Sequence, residues 1–229
     1  MIIIAGIIGS GKSSLTEILA QEFQAKPFYE PVSDNPVLPL FYQGNELAAK
    51  KRAAGDKNAT NPYTYLLQTF FLNRRFKMIK EASKYTNSIL DRSIHEDAMF
   101  MKMNTDLGNA TAIEYQVYQE LLTHMLSELD DSIVAKQQNL TIIIKVSYHT
   151  MLQRIKKRGR SFEQVENDPS LKEYYHNLLT YYDDWIATYH DTPTLVIDGD
   201  RYDFVGNESD RQYVIKQIKD KLTTLKEQN

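Results

Sequence analysis

The sequence predicts an α/β fold, with five parallel strands in one sheet and helices on both faces. Three observations predict it. Short apolar runs recur at residues 1–5, Ser88–Asp91, 140–146 and Thr194–Asp198. Segments with apolar residues at helical spacing separate those runs. A glycine-rich turn joins the first run to the first helix. Strands buried on both faces read as continuous apolar runs, and the helices between them supply the crossovers.

The first strand is Met1-Ile2-Ile3-Ile4-Ala5. Gly6-Ile7-Ile8-Gly9-Ser10-Gly11-Lys12-Ser13 follows, a complete G-x-x-x-x-G-K-[ST] phosphate loop, with Ser14 opening the helix to residue 24. Gly6, Gly9 and Gly11 let the backbone curl so that several N–H groups converge on one anion. The helix adds its partial positive end. Lys12 can reach the β- and γ-phosphates of a nucleotide, and the Ser13 hydroxyl can ligate Mg²⁺. A glycine turn before an ordinary helix is the alternative, and the strand–turn–helix context argues against it.

Residues 26–32 read as a second strand ending at Pro31, with Glu30 near its carboxyl end, where ligands bind in open α/β sheets. Residues 36–42 read as one or two helical turns. Residues 43–62, broken by Gly44 and Gly55, read as a partly helical, mobile insertion. An amphipathic helix is expected over residues 63–84, with Leu66, Phe70, Phe71 and Met78 as its buried stripe. The third strand ends at Asp91, and Arg92-Ser93 opens a helix to about residue 103. Residues 111–130 read as a helix with Ile113, Val117, Leu121, Leu122, Met125 and Leu129 on its apolar side. After the fourth strand come helices at 148–157 and 169–190. The last strand leads through a loop at 200–210 into a closing helix at about 211–225. No linker divides the chain, so a single domain over residues 1–229 is expected.

Composition narrows the function. Hydrophobic content of 42% and charged content of 25% are ordinary for a globular chain. A net charge of −3 gives no basic surface for nucleic acid or membrane. No apolar run approaches a membrane span, and the apolar N-terminus lacks the basic flank of a signal peptide. Cysteine is absent, which rules out disulfides and thiolate metal sites and suits a reducing cytoplasm.

Three groups carry candidate chemistry beyond the loop. Glu30 is a candidate base for an acceptor hydroxyl, although a strand-end Glu is more often a surface charge. Asp91 can hold Mg²⁺ and Arg92 can steady a phosphoryl group, although the pair also suits a helix N-terminus. Arg154, Arg158 and Arg160 flank the hinge glycine Gly159 and could close over phosphates, or simply decorate a solvated helix end. Phe28, Phe70 and Phe71 could clamp a flat base or fill the core.

The loop at residues 6–13, Tyr29-Glu30-Pro31-Val32, Gln68, Asp91-Arg92-Ser93 and the stretch 154–163 together resemble the deoxynucleoside kinase family, in the family's order and over essentially the whole chain. Residues 158–166 and 198–204 are most similar to the bacterial deoxyadenosine kinase branch. The resemblance implies a P-loop kinase fold that transfers the γ-phosphoryl of ATP to a deoxynucleoside 5′-hydroxyl in nucleotide salvage. Deoxyadenosine is the first expected substrate; deoxyguanosine and deoxycytidine follow.

The resemblance also implies residue roles. Glu30 would take the hydroxyl proton. Arg92, with Lys12, Arg154 and Arg158, would stabilise the transferring phosphate. Ser13 and Asp91 would hold Mg²⁺. Gln68 would read the base, with Arg75 and Asp97 as a pair behind it, and Tyr42 and Glu163 would bind the 3′-hydroxyl. Residues 154–166 would form a lid. Arg201, Asp203 and Phe204 would shape the donor-base pocket. A homodimer is implied, through the helices at 63–84 and 111–130, whose apolar faces could equally be internal core. Because the family's link between Tyr42 and Gln68 is shorter, residues 43–62 are expected to form a lobe over the nucleoside site. Two other readings remain: a nucleoside monophosphate kinase of thymidylate type, and a non-catalytic nucleotide switch.

Overall fold

The computed structural model describes residues 1–30, 35–130 and 140–228. Its sheet has five parallel strands in the order β2-β3-β1-β4-β5: β1 Ile2–Gly6, β2 Lys26–Phe28, β3 Ser88–Asp91, β4 Leu140–Lys145 and β5 Thr194–Asp198. In the central register Ile4 lies beside Asp91 on one side and Ile142 on the other. The turns after β1 and β3 therefore open side by side at one end of the sheet, the usual ligand edge of this topology.

Eight helices surround the sheet among the described residues: α1 Lys12–Glu22, α2 Leu38–Ala53, α3 Thr64–Ala82, α4 Ile94–Asp106, α5 Ala112–Asp130, α6 Tyr148–Arg158, α7 Leu171–Thr188 and α8 Glu208–Glu227. Ile4, Ile142 and Ile144 share a core with Leu15 and Leu19 of α1, Met151 of α6 and Val214 and Ile218 of α8. Leu90 joins a second core with Leu72, Met101, Tyr118 and Leu122 from α3, α4 and α5. The N-terminus of α4 is fixed by a capping box in which the Ser93 hydroxyl accepts from His95 N–H and the Glu96 carboxylate accepts from Ser93 N–H at 2.7 Å.

Four expectations are corrected. The second strand stops at Phe28, so Tyr29 and Glu30 lie beyond it, and Pro31 and Val32 lie outside the described residues. The closing helix starts at Glu208, earlier than expected, because the Asn207 side chain caps Ser209 and Asp210 N–H. Gly44 does not break the insertion: α2 runs from Leu38 through it to Ala53, so the helical part of the insertion continues the turns before it. Gly44 allows a close approach there, since a Cβ would lie 2.1 Å from Asn61 Oδ1. Asn61 Nδ2 donates to Phe41 O at 2.8 Å and to Asn45 Oδ1 at 2.7 Å, tying the segment back on itself. Arg52 then bonds Ala59 O and Gly108 O, anchoring it to the end of α4.

Last, the apolar stripes are rotated. In α3 the buried side carries Leu67, Leu72, Met78 and Ile79, while Leu66 is 50% exposed. In α5 Tyr118, Leu122 and Leu129 are buried, while Ile113 is 74% and Val117 45% exposed. Apolar periodicity finds the helix; it does not say which apolar residues meet this chain's own core.

Candidate active site

A cavity of about 260 Å³ opens at the carboxyl end of the sheet. Its wall carries Ile8, Lys12 and Ser13 from the glycine loop, Glu30 after β2, Tyr42 of α2 and Gln68 of α3. Asp91 and Arg92 after β3, Asp97 of α4, Arg158, Arg160 and Glu163 complete the charged part. Sequence reasoning had named all of these. It missed the apolar and aromatic remainder, including Leu38, Phe41, Leu67, Phe100, Tyr174 and Tyr175.

The loop has the backbone its glycines require. Gly6, Gly9 and Gly11 have φ of 145°, 75° and 101°. Helix α1 starts at Gly11 with no side-chain cap, leaving its first N–H groups open to an anion. Lys12 Nζ donates to Gly6 O at 2.8 Å and Ile7 O at 3.0 Å. Burial, with Arg92 nearby, lowers its pKa to about 8. Ile7 and Ser10 are buried beneath the loop.

Beside Lys12, the Ser13 hydroxyl donates to Asp91 Oδ2 at 2.5 Å. Asp91 Oδ1 is buried and has no hydrogen-bond partner. Burial raises the pKa of this carboxyl. Two oxygen ligands with an unpartnered carboxylate oxygen suit a hard cation that keeps water and phosphate oxygens in its remaining positions.

The acceptor side is built on buried charge. Arg75 grips Asp97 with two bonds, Nε to Oδ2 at 2.7 Å and Nη2 to Oδ1 at 3.1 Å. The same Nη2 reaches Glu30 Oε1 at 3.0 Å. Arg92 Nε lies 3.0 Å from that oxygen as an ion pair whose angle falls outside a directed hydrogen bond. Although burial opposes it, the guanidiniums of Arg92 and Arg75 hold the Glu30 carboxyl down at about 2. Burial pushes Asp97 up to about 6, with the Arg75 fork opposing it. Arg92 has φ of 90°, an uncommon backbone for a residue with a side chain and one that clusters at functional sites. Its guanidinium stacks on Phe100, 5.1 Å from the ring centroid.

The basic segment divides in two. Arg154 is pinned beside the loop, donating to Ser10 O and Gly199 O, each at 2.8 Å. Arg158 ends α6, and Gly159 follows with φ of 74°. Arg158 and Arg160 turn onto buried Glu163, with contacts of 2.6 and 3.3 Å. Tyr42 faces this group, its ring 5.3 Å from that of Phe162.

Arg201, Asp203 and Phe204 do not line the cavity. Arg201 lies over the Tyr202 ring. Asp203 ties down the N–H groups of Val205 and Gly206. Phe204 is buried behind the loop, its Cζ 3.1 Å from where a Cβ on Gly11 would be, so it supports the loop from within the core. The lobe expected over the site is not there: residues 43–62 supply nothing to the cavity wall, and Asn61 N–H to Asn109 O and Arg52 to Gly108 O hold them toward the end of α4.

Two further polar residues escaped the sequence reading. Glu96, fully buried, accepts Gly6 N–H at 3.0 Å through Oε1. Tyr182 of α7 approaches both Glu96 Oε1, at 2.6 Å, and Arg92 Nη1, at 2.8 Å. The Ser93-x-x-Glu96 spacing signals a capping box and could have flagged Glu96. Nothing local flags Tyr182.

A glycine loop on β1, a buried carboxylate facing it and an arginine-rich cover define a P-loop kinase, a phosphotransferase that takes its phosphoryl group from a nucleotide. The comparisons narrow the class. The family model described as deoxynucleoside kinase matches residues 2–223. A deoxyguanosine kinase of Lactobacillus acidophilus is 50% identical over 97% of this chain and 90% of its own length. A deoxyadenosine kinase of the same organism is 46% identical over 97% of this chain and 96% of its own. The solved structure of deoxyadenosine kinase from M. mycoides with bound dATP aligns with a TM-score of 0.71 at 27% identity, covering 95% of this chain and 98% of that one. The chain belongs to the deoxynucleoside kinase family and is an ATP-dependent deoxynucleoside kinase.

Proposed function

We propose that this kinase phosphorylates purine deoxynucleosides, deoxyadenosine and deoxyguanosine, at the 5′-hydroxyl in nucleotide salvage. One observation carries the reading: a single cavity joins Lys12 and Ser13, on the donor side, to Glu30, Gln68 and Asp97 on the acceptor side. The names of the two Lactobacillus acidophilus relatives support a purine. Gln68 offers one acceptor and two donors to a base edge, and Asp97 offers carboxylate oxygens already oriented by Arg75.

Glu30 accepts the hydrogen bond of the 5′-hydroxyl. Held as an ion by two arginines, it is a weak base, which suffices when the transition state is loose and the proton leaves late. Arg92 contacts the attacking oxygen and the moving phosphoryl group. Lys12 and Arg154 stabilise the donor phosphates. Arg158 and Arg160 leave Glu163 for the phosphates as the lid at 154–166 closes, freeing Glu163 and Tyr42 for the 3′-hydroxyl. Arg201 and Asp203 border the donor base, and Phe204 supports the glycine loop from behind. Ser13 and Asp91 are the ligands for Mg²⁺, which when bound neutralises charge on the phosphate oxygens.

The enzyme is proposed to be a cytoplasmic homodimer formed through α3 and α5. The exposed apolar side chains Leu66, Ile113 and Val117 support that surface. Among the described residues no helix is long and apolar enough to cross a membrane.

The test is phosphorylation of each of the four common deoxynucleosides at fixed Mg-ATP. The reading expects the highest kcat/KM with deoxyadenosine or deoxyguanosine; preference for thymidine would reject it.

A further inference from the structure

We propose that Tyr182, oriented by Glu96, is a positioning residue that sets the plane of the Arg92 guanidinium for phosphoryl transfer. The proposal rests on the role given to Arg92 above.

The hydrogen-bond arithmetic fixes the direction of each contact. A tyrosine hydroxyl has one proton. The nearer acceptor, Glu96 Oε1 at 2.6 Å, takes it in preference to Gly6 O at 3.1 Å, which already accepts from Lys12. The lone pair of the hydroxyl is then aimed at Arg92 Nη1, 2.8 Å away. The direct contact from Nη1 to Glu96 is longer, 3.3 Å, so Tyr182 makes the short bond to the arginine. Phe100 supports one face of the guanidinium, and Glu30 attracts its Nε end without a directed bond. Tyr182 therefore supplies the in-plane restraint. The bonds to Tyr182 and Glu96 both run from Nη1, so they fix one corner of the guanidinium.

The same carboxylate also receives Gly6 N–H, so one buried group references both the first loop glycine and the catalytic arginine. Seven residues earlier on α7, Tyr175 donates to Glu163 O at 2.9 Å. Residues seven apart share a helical face, so α7 ties the lid segment and Arg92 to one rigid element.

Y182F removes the bond to Arg92 and keeps the ring. The expected result is a kcat lower by roughly ten- to hundredfold, the cost of misplacing a reacting group by a fraction of an ångström. KM for both substrates stays within about twofold. R92K should also lower kcat, and Y182F/R92K should be no slower than R92K, because the two side chains act as one unit. Wild-type kcat in Y182F, or effects that multiply in the double variant, would overturn the role of Tyr182. Wild-type kcat in R92K would instead overturn the role of Arg92, which separates the two failures. Thermal unfolding is recorded for every variant. Should Y182F not fold, E96Q replaces the carboxylate that orients the hydroxyl and carries the same expectation for kcat.

Discussion

Arg75 holds Asp97 through two parallel hydrogen bonds and touches Glu30 with the same Nη2 nitrogen. One guanidinium thus connects two carboxylates of the cavity wall, those proposed to meet the base and the reacting hydroxyl. The two carboxyls are driven apart in pKa: Glu30 down to about 2 by Arg92 and Arg75, Asp97 up to about 6 by burial.

The pH profile should show that separation. Asp97 faces Arg75, with Arg92, Glu30 and Tyr118 close by. As pH falls through about 6, Asp97 takes a proton, its grip on Arg75 weakens and nucleoside KM rises. Glu30 stays ionised over the whole range, so kcat should be flat from about pH 7 to pH 5, below the titration of Lys12 at about 8. D97N should raise KM at neutral pH and remove the acid limb of kcat/KM. A parallel fall of kcat with an apparent pKa near 5 would contradict the assignment.

Metal dependence is predicted to pass through Asp91. D91N should raise the Mg²⁺ concentration for half-maximal rate by at least roughly tenfold, measured at saturating nucleoside and fixed ATP. An unchanged magnesium titration would remove Asp91 from the metal site.

G44A should destabilise the fold. The new methyl would lie 2.1 Å from Asn61 Oδ1, so Asn61 must leave its bonds to Phe41 and Asn45. A loss of about 2 kcal/mol is expected, read as a lower Tm in thermal unfolding. A wild-type Tm would show that α2 and Asn61 are not locked together as described.

The proposed homodimer through α3 and α5 predicts that I113E shifts the protein from dimer to monomer in sedimentation velocity, because it puts a charge on an exposed apolar surface. A dimer of wild-type stability would move the subunit contact elsewhere.

The sequence made the sheet and most of the site legible for a physical reason. Both depend on local pattern: apolar runs for buried strands, glycines at fixed spacing for the anion loop, charged residues at strand ends for the ligand edge. What it hid is long-range. Gly44 looked like a helix breaker because its partner, Asn61, is seventeen residues away. Leu66, Ile113 and Val117 looked like core because periodicity cannot tell an apolar face buried in this chain from one left exposed. Tyr182 meets Glu96 across 86 residues, a contact no spacing rule anticipates.

The central claim is that Glu30 serves the acceptor hydroxyl in a deoxynucleoside kinase. It is tested most directly by E30Q, assayed with Mg-ATP and the preferred deoxynucleoside, together with ATP binding by calorimetry. The account predicts kcat lower by roughly 10²- to 10⁴-fold with ATP affinity retained. Wild-type turnover in E30Q, or an enzyme that phosphorylates a nucleoside monophosphate but no deoxynucleoside, would contradict it.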